Sequence, residues 1–173
     1  MFNRREFMAT GALAGAALAA SCTACRRSEY AFLSANDAAT LRAICDQIIP
    51  ADDFPSASEA GVLNYIDRQL THHYRRHRKT YLDGLKQADL LSRNRFGTDL
   101  AGASVQQQFE IVSAMETQNE AFFDLVRSHT MQGYYGSPRH GGNRDAMSWR
   151  MLGLDEPPVR GRAQYDFTAG SKR

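Results

Sequence analysis

Apolar residues recur every three or four positions along most of the chain after residue 33, which is the spacing of amphipathic α-helices. Five such stretches follow one another. Their apolar positions are Leu41, Ile44, Cys45 and Ile48; Val62, Leu63, Ile66 and Leu70; Tyr81, Leu82, Leu85, Ala88 and Leu91; Val105, Phe109, Val112 and Met115; and Phe122, Leu125, Val126 and His129. Since no strand-like alternation accompanies them, the pattern predicts an all-α bundle of about five helices, within a domain spanning residues 34–173.

Polar residues at the starts of these stretches predict where the helices begin. Three pairs have the three-residue spacing of a capping box, in which each member caps a backbone amide beside the other. These pairs are Ser34 with Asp37, Ser56 with Glu59, and Ser104 with Gln107, while Asn119 can start the fifth helix. Pro50 should end the first helix, Gly97 the third, and Gly133 the fifth, as a left-handed C-cap.

A long irregular arm, residues 133–168, follows the fifth helix. Its glycines and prolines predict a run of turns, yet it is rich in aromatic residues and arginines, which anchor protein interfaces. Its candidate interface residues are Tyr134, Tyr135, Gly136, Gly141, Gly142, Arg144, Trp149 and Arg150. The alternative is that the aromatic residues pack onto their own domain.

Composition narrows the class of partner. The 173 residues suffice for one domain with a proper core. The 21 basic and 19 acidic residues give a net charge of +2, which gives no reason to expect a nucleic acid partner. Three cysteines are too few for a disulfide scaffold.

Residues 1–25 look like an export leader, joined to the domain by a spacer at residues 26–33. Arg4 and Arg5 followed by the bulky Phe7 resemble the twin-arginine signal, which is used by proteins exported already folded, although Asn3 stands where Ser or Thr is commoner. An accidental arginine pair before a Sec-type signal is the alternative. The apolar run is too short and too alanine-rich for a convincing membrane span.

The end of the leader resembles a lipobox. Small residues precede Cys22, which would be diacylated, but Ala19 replaces the preferred leucine three positions earlier. Cleavage nearby without lipid is the alternative. Cys22 and Cys25 also form a C-x-x-C pair, but no strand precedes it and a zinc site would need a second pair of ligands.

No motif for independent catalysis emerges. The chain has no dinucleotide-binding glycine motif after a strand, no nucleophile elbow, no four-cysteine cluster set and no haem-attachment motif. His73 and His77 have the spacing of a two-histidine metal pair, but the surrounding Arg and Lys favour a solvated basic segment. Two alternatives stay open: a small metal-dependent enzyme and a free-standing periplasmic lipoprotein binding module.

Three runs carry a resemblance to a known family. These are IIPADDFPSASEAGVLNYIDRQL, HTMQGYYGSPRHGGNRDAMSWRMLG and PPVRGRAQYDF. They resemble the gluconate 2-dehydrogenase subunit 3 family, with a likeness covering roughly residues 34–168. The resemblance implies a non-catalytic companion of a large flavin dehydrogenase. FAD would sit on that partner and haem c on a third, cytochrome c subunit. Together with the leader, it predicts a periplasmic location at the inner-membrane face, reached through the twin-arginine translocase.

Overall fold

The computed structural model describes residues 29–154, and they form the expected all-α fold with no strand in that range. Its α-helices are α1 (Ala35–Ile48), α2 (Val62–Thr71), α3 (Arg78–Phe96), α4 (Val105–Gln118), α5 (Glu120–Tyr135) and α6 (Met147–Met151). Short 3₁₀ turns at Arg75–His77, Leu100–Gly102, Pro138–His140 and Arg144–Ala146 join them. The first five helices pack around one core, and α6 packs against α5.

The predicted helix starts are confirmed for α1, α4 and α5. Ser34 and Ser104 each form a complete capping box, and the Asn119 side chain accepts from the Phe122 amide. The Ser56 and Glu59 pair also bonds in both directions, but it closes a turn rather than opening a helix. The expectation that it caps α2 is wrong, because that helix begins only after Gly61, whose φ of 80° interrupts the helical path.

The buried face of α4 differs from the prediction. Val105 and Phe109 are 75% and 54% exposed, whereas Ile111, Val112 and Met115 are buried. Gln108, three and four residues before Ile111 and Val112, is half-buried. Its amide nitrogen donates to the carbonyls of Leu100 and Ala103, so both carbonyls of the turn before α4 have a hydrogen-bond partner. In this turn of α4, the polar Gln108 is therefore half-buried, whereas the apolar Phe109 that periodicity selected is exposed.

A buried carboxylate fixes the chain where it enters the bundle. Asp67 on α2 is only 6% exposed, and its oxygens accept the backbone amides of Ala31, Phe32 and Leu33 at 2.8–2.9 Å. The Arg78 guanidinium lies 4.7 Å from the centre of the Phe32 ring on the same side. The segment just before α1 is therefore bound in a defined place on α2 and α3.

The arm starts later than predicted. Gly133 is not a left-handed cap, since α5 continues to Tyr135 and ends at Gly136 in extended backbone. Gly133 instead lets α5 approach Tyr65, because a Cβ there would lie 2.9 Å from that ring. The leader, including Arg4, Arg5, Phe7 and Cys22, and the arm beyond residue 154 lie outside the described residues. Within residues 29–154, no helix combines the length and apolarity needed to cross a membrane.

Candidate partner interface

The arm loop, residues 136–146, lies directly on the backbone of α2 and α5. A Cβ on Gly142 would collide with the carbonyl oxygen of Gly133, so only glycine permits this approach. Gly141 adopts a φ of 101° beside the carbonyl of Asn64 on α2. The Arg144 amide donates to the Ala60 carbonyl at 2.9 Å. Two of the predicted interface glycines, Gly141 and Gly142, thus allow the loop to pack against its own domain.

Asn143 holds the arm loop closed, and the sequence pattern did not predict this role. It is fully buried, and its amide nitrogen donates to the Gly136 carbonyl at 2.8 Å. Its amide oxygen accepts the Ser148 amide at 2.9 Å, which ties the loop to α6. Its φ of 43° is left-handed, a conformation that asparagine tolerates better than most side chains. That preference, after two glycines, is the signal that could have found it.

Two of the predicted aromatic residues are buried in the chain's own fold. Tyr134 is 2% exposed, and its hydroxyl donates to the Pro55 carbonyl at 2.8 Å. Trp149 on α6 is 9% exposed, and its indole nitrogen donates to the Tyr135 carbonyl at 2.8 Å. Tyr134 and Trp149 therefore pack onto their own domain, which was the alternative to an interface role.

The other predicted side chains face outward. Tyr135 is 37% exposed, and Arg144 and Arg150 are exposed without an ion pair to any described residue. Met131, one turn before Tyr135, is 43% exposed, and Leu152 just after α6 is 54% exposed. Met131, Tyr135, Arg150 and Leu152 are therefore exposed apolar and cationic side chains near the junction of α5 and α6. Whether a partner covers them is not tested by the fold, so the interface stays a prediction.

Arg144 also borders a polar pocket of about 430 Å³ near the chain entry. Arg42 on α1 and the carboxylates of Glu29 and Glu59 share its wall. The pocket thus carries charges of both signs.

His129 on α5 lies in a buried aromatic cluster and not on the surface. Its ring stacks on Tyr74 at 4.1 Å, and its Nδ1 lies 2.9 Å from the Tyr81 hydroxyl. Burial lowers the pKa of His129 to about 4, with a smaller contribution from the nearby His77. The imidazole is therefore neutral at physiological pH, as expected of a packed, hydrogen-bonded histidine.

Cys45 is a packing residue, which confirms the interpretation of its position on α1. It is fully buried, and its sulfur lies 3.3 Å from the Thr130 hydroxyl. Burial raises the pKa of its thiol to about 12, so the reactive thiolate is strongly disfavoured. Among residues 29–154, no group of three or more His, Cys, Asp and Glu side chains is arranged to hold a metal ion.

Comparison with known proteins identifies the family. The model of the gluconate 2-dehydrogenase subunit 3 family matches residues 35–155, which takes in all six helices and the arm loop. No curated protein and no solved structure matched the chain. The matched range covers more than half of the sequence and contains two of the three runs that carried the resemblance, whereas PPVRGRAQYDF lies beyond its end. The chain belongs to the gluconate 2-dehydrogenase subunit 3 family.

Proposed function

We propose that this chain is the non-catalytic small subunit of a periplasmic flavin-dependent dehydrogenase complex that oxidises gluconate, glucose or a related substrate. The family is that of a dehydrogenase subunit, and this supports the proposal. FAD belongs to a large partner subunit in this account, and haem c to a cytochrome c subunit that passes electrons onward. The small subunit assists assembly and export of the flavin subunit.

The observation that supports the proposed binding role is that some side chains of the arm are buried in the domain while others are exposed and accessible to a partner. Tyr134, Asn143 and Trp149 are buried and hold the arm in place, so the outward groups are presented on a fixed scaffold. Tyr135 and Arg150 lie on that scaffold beside exposed apolar side chains. Tyrosine and arginine are among the residues that contribute most to interface energies. A preformed surface also loses little entropy when a partner binds.

Export is the second part of the proposal. Arg4, Arg5 and Phe7 form the signal read by the twin-arginine translocase, which carries this chain together with a folded partner lacking its own leader. Diacylation of Cys22 would attach the complex to the periplasmic side of the inner membrane. A lipid chain at Cys22 is tested by radiolabelled fatty acid incorporation, which a Cys22→Ser variant should abolish.

Co-expression with the flavin subunit tests the interface. The double variant Tyr135→Ala and Arg150→Ala should weaken the complex by about 2 kcal/mol or more, while the melting temperature of the lone small subunit stays unchanged. Arg93→Ala is the control, since Arg93 is exposed on α3, away from the arm. Equal partner affinity for the double variant, the control and the parent chain would remove the arm surface from the interface.

A lysine pair at positions 4 and 5 tests the shared export signal. The substitution keeps the positive charge but should abolish twin-arginine recognition, so flavin dehydrogenase activity should remain in the cytoplasm. Export of the flavin subunit at the parental level by the lysine variant would contradict this part of the proposal. Partner affinity and export are measured separately, so a negative result for the interface does not contradict the shared export signal, and the reverse also holds.

A further inference from the structure

A pocket of about 510 Å³ lies at the end of α2, where the arm loop passes the segment that precedes α3. Arg68, His72, His73 and His140 line it, together with the rings of Tyr65 and Tyr74. Among residues 29–154, no acidic side chain contributes to its wall. Its charge is therefore cationic, through the Arg68 guanidinium.

The cationic groups of this pocket are held in place without being neutralised. The Arg68 guanidinium donates to the carbonyl oxygen of Arg139 at 3.2 Å, and Arg68 forms no ion pair with any described residue. The Arg139 guanidinium donates to Nε2 of His140 at 3.2 Å, which leaves Nδ1 of that ring as a donor. One guanidinium and several ring nitrogens thus keep hydrogen-bond donors free for an anion.

The two tyrosines shape the pocket rather than supply donors to it. Both hydroxyls donate to the same oxygen of Gln132, Tyr65 at 3.0 Å and Tyr74 at 2.7 Å. Their protons are therefore already used, and their rings form a rigid wall. The donors left for a ligand come from Arg68 and the three histidines.

We propose that this pocket binds a phosphate group. Several convergent N–H donors and a guanidinium match the tetrahedral set of phosphate oxygens. The volume exceeds that of one inorganic phosphate several times, so there is room for the group to which a phosphate is esterified. Neither Tyr135 nor Arg150 lines this pocket, so the proposal does not rest on the interface with the dehydrogenase partner.

A phospholipid headgroup and a free phosphate share this chemistry, and the charge around the pocket favours the headgroup. Arg75 and Arg76, which follow Tyr74 of the pocket wall in the chain, are exposed and add positive charge beside it. Anionic lipid attracts basic residues held near its surface.

Binding of the purified chain to vesicles and to inorganic phosphate tests the site. The variant Arg68→Gln should bind vesicles of phosphatidylglycerol and phosphatidylcholine about fivefold more weakly than Arg93→Gln, which loses the same charge elsewhere. Inorganic phosphate should shift the imidazole NMR signals of His72, His73 and His140 in the parent chain, and less in Arg68→Gln. Because both variants carry the same leader, its contribution to vesicle binding cancels.

The double variant His72→Gln and His73→Gln guards against a folding defect in Arg68→Gln, since both histidines are exposed. It should weaken phosphate binding at an unchanged melting temperature. Shifts by phosphate without selective vesicle binding would support the site and identify a soluble source. Equal binding by Arg68→Gln and Arg93→Gln in both assays would overturn the phosphate site, because it would indicate only nonspecific attraction to surface charge. Histidine NMR shifts caused by an acidic peptide but not by inorganic phosphate would also overturn it.

Discussion

The backbone of Gly142 lies against the carbonyl oxygen of Gly133, so that one glycine of the arm loop packs on another in α5. A Cβ on Gly142 would meet that backbone oxygen, which cannot rotate away as a side chain would. We expect Gly142→Ala to lower the free energy of unfolding by about 1–3 kcal/mol, a typical cost of overpacking. Urea denaturation followed by circular dichroism measures the change.

The control for this variant is Gly97→Ala. A Cβ at Gly97 meets no atom within 4 Å, so only the left-handed φ of 76° opposes the substitution. Its cost should be about 1 kcal/mol, from conformational strain alone. If Gly142→Ala proved no more costly than the control, the close contact between arm and helix would not be as tight as described.

Asp67 should hold the entry segment in place. Asparagine there loses the negative charge and turns an NH₂ group toward amides that are themselves donors. Asp67→Asn should cost about 2 kcal/mol and speed hydrogen exchange at the amides of residues 31–33. Asp124→Asn, which removes an exposed ion pair with Arg127, should cost no more than about 0.5 kcal/mol. Unchanged exchange at residues 31–33 would contradict the anchoring role.

His129 should make the domain acid-sensitive. Its folded pKa of about 4 lies below the usual 6.5, so the unfolded chain takes up the proton first as the pH falls. The stability is therefore complete above pH 6.5 and is lost progressively between pH 6.5 and 4. Between pH 7.5 and 5 the loss from this group should be about 2 kcal/mol.

The variant His129→Phe checks the assignment of this pH dependence. Phenylalanine keeps a ring against Tyr74 but cannot titrate, so the slope of stability against pH should flatten by that amount. It also leaves the Tyr81 hydroxyl without its partner, which should cost about 1–3 kcal/mol at neutral pH. A parental slope in His129→Phe would place the sensitivity elsewhere.

Cys45 should be inert while the domain is folded. In a chain with Cys22 and Cys25 replaced by serine, a thiol reagent should react about a thousandfold or more slowly than in urea, because access requires unfolding. Absorbance of the released thiol product measures the rate. Rapid labelling without denaturant would contradict the burial of this thiol.

Much of the bundle could be predicted because its signals are local. The capping boxes at Ser34 and Ser104 involve bonds between residues three apart, so sequence spacing suffices to find them. The hydrogen bonds of Gln108 could not be predicted in that way, since its partners are carbonyls of the preceding turn. For the same reason, periodicity alone placed Phe109 on the wrong face of α4.

The arm was harder to predict, because its residue types suit two different roles. Tyrosine, tryptophan and glycine can form a partner surface or bring a loop close to its own domain. Only the long-range contacts between Tyr134 and Pro55, and between Gly142 and Gly133, separate the two. For the exposed Tyr135 and Arg150, the interface role stays a prediction. Composition did not suggest that Asn143 would hold the arm loop.

Trp149 is the chain's single tryptophan, and it sits where the arm meets α5. Its indole is bonded to the carbonyl of Tyr135, beside the surface proposed to receive the flavin subunit. Selective excitation of this ring therefore provides an intrinsic optical probe of one place in the molecule. A red shift would report release of the arm while the bundle stays folded, and quenching by a bound flavin would report docking, without any added label.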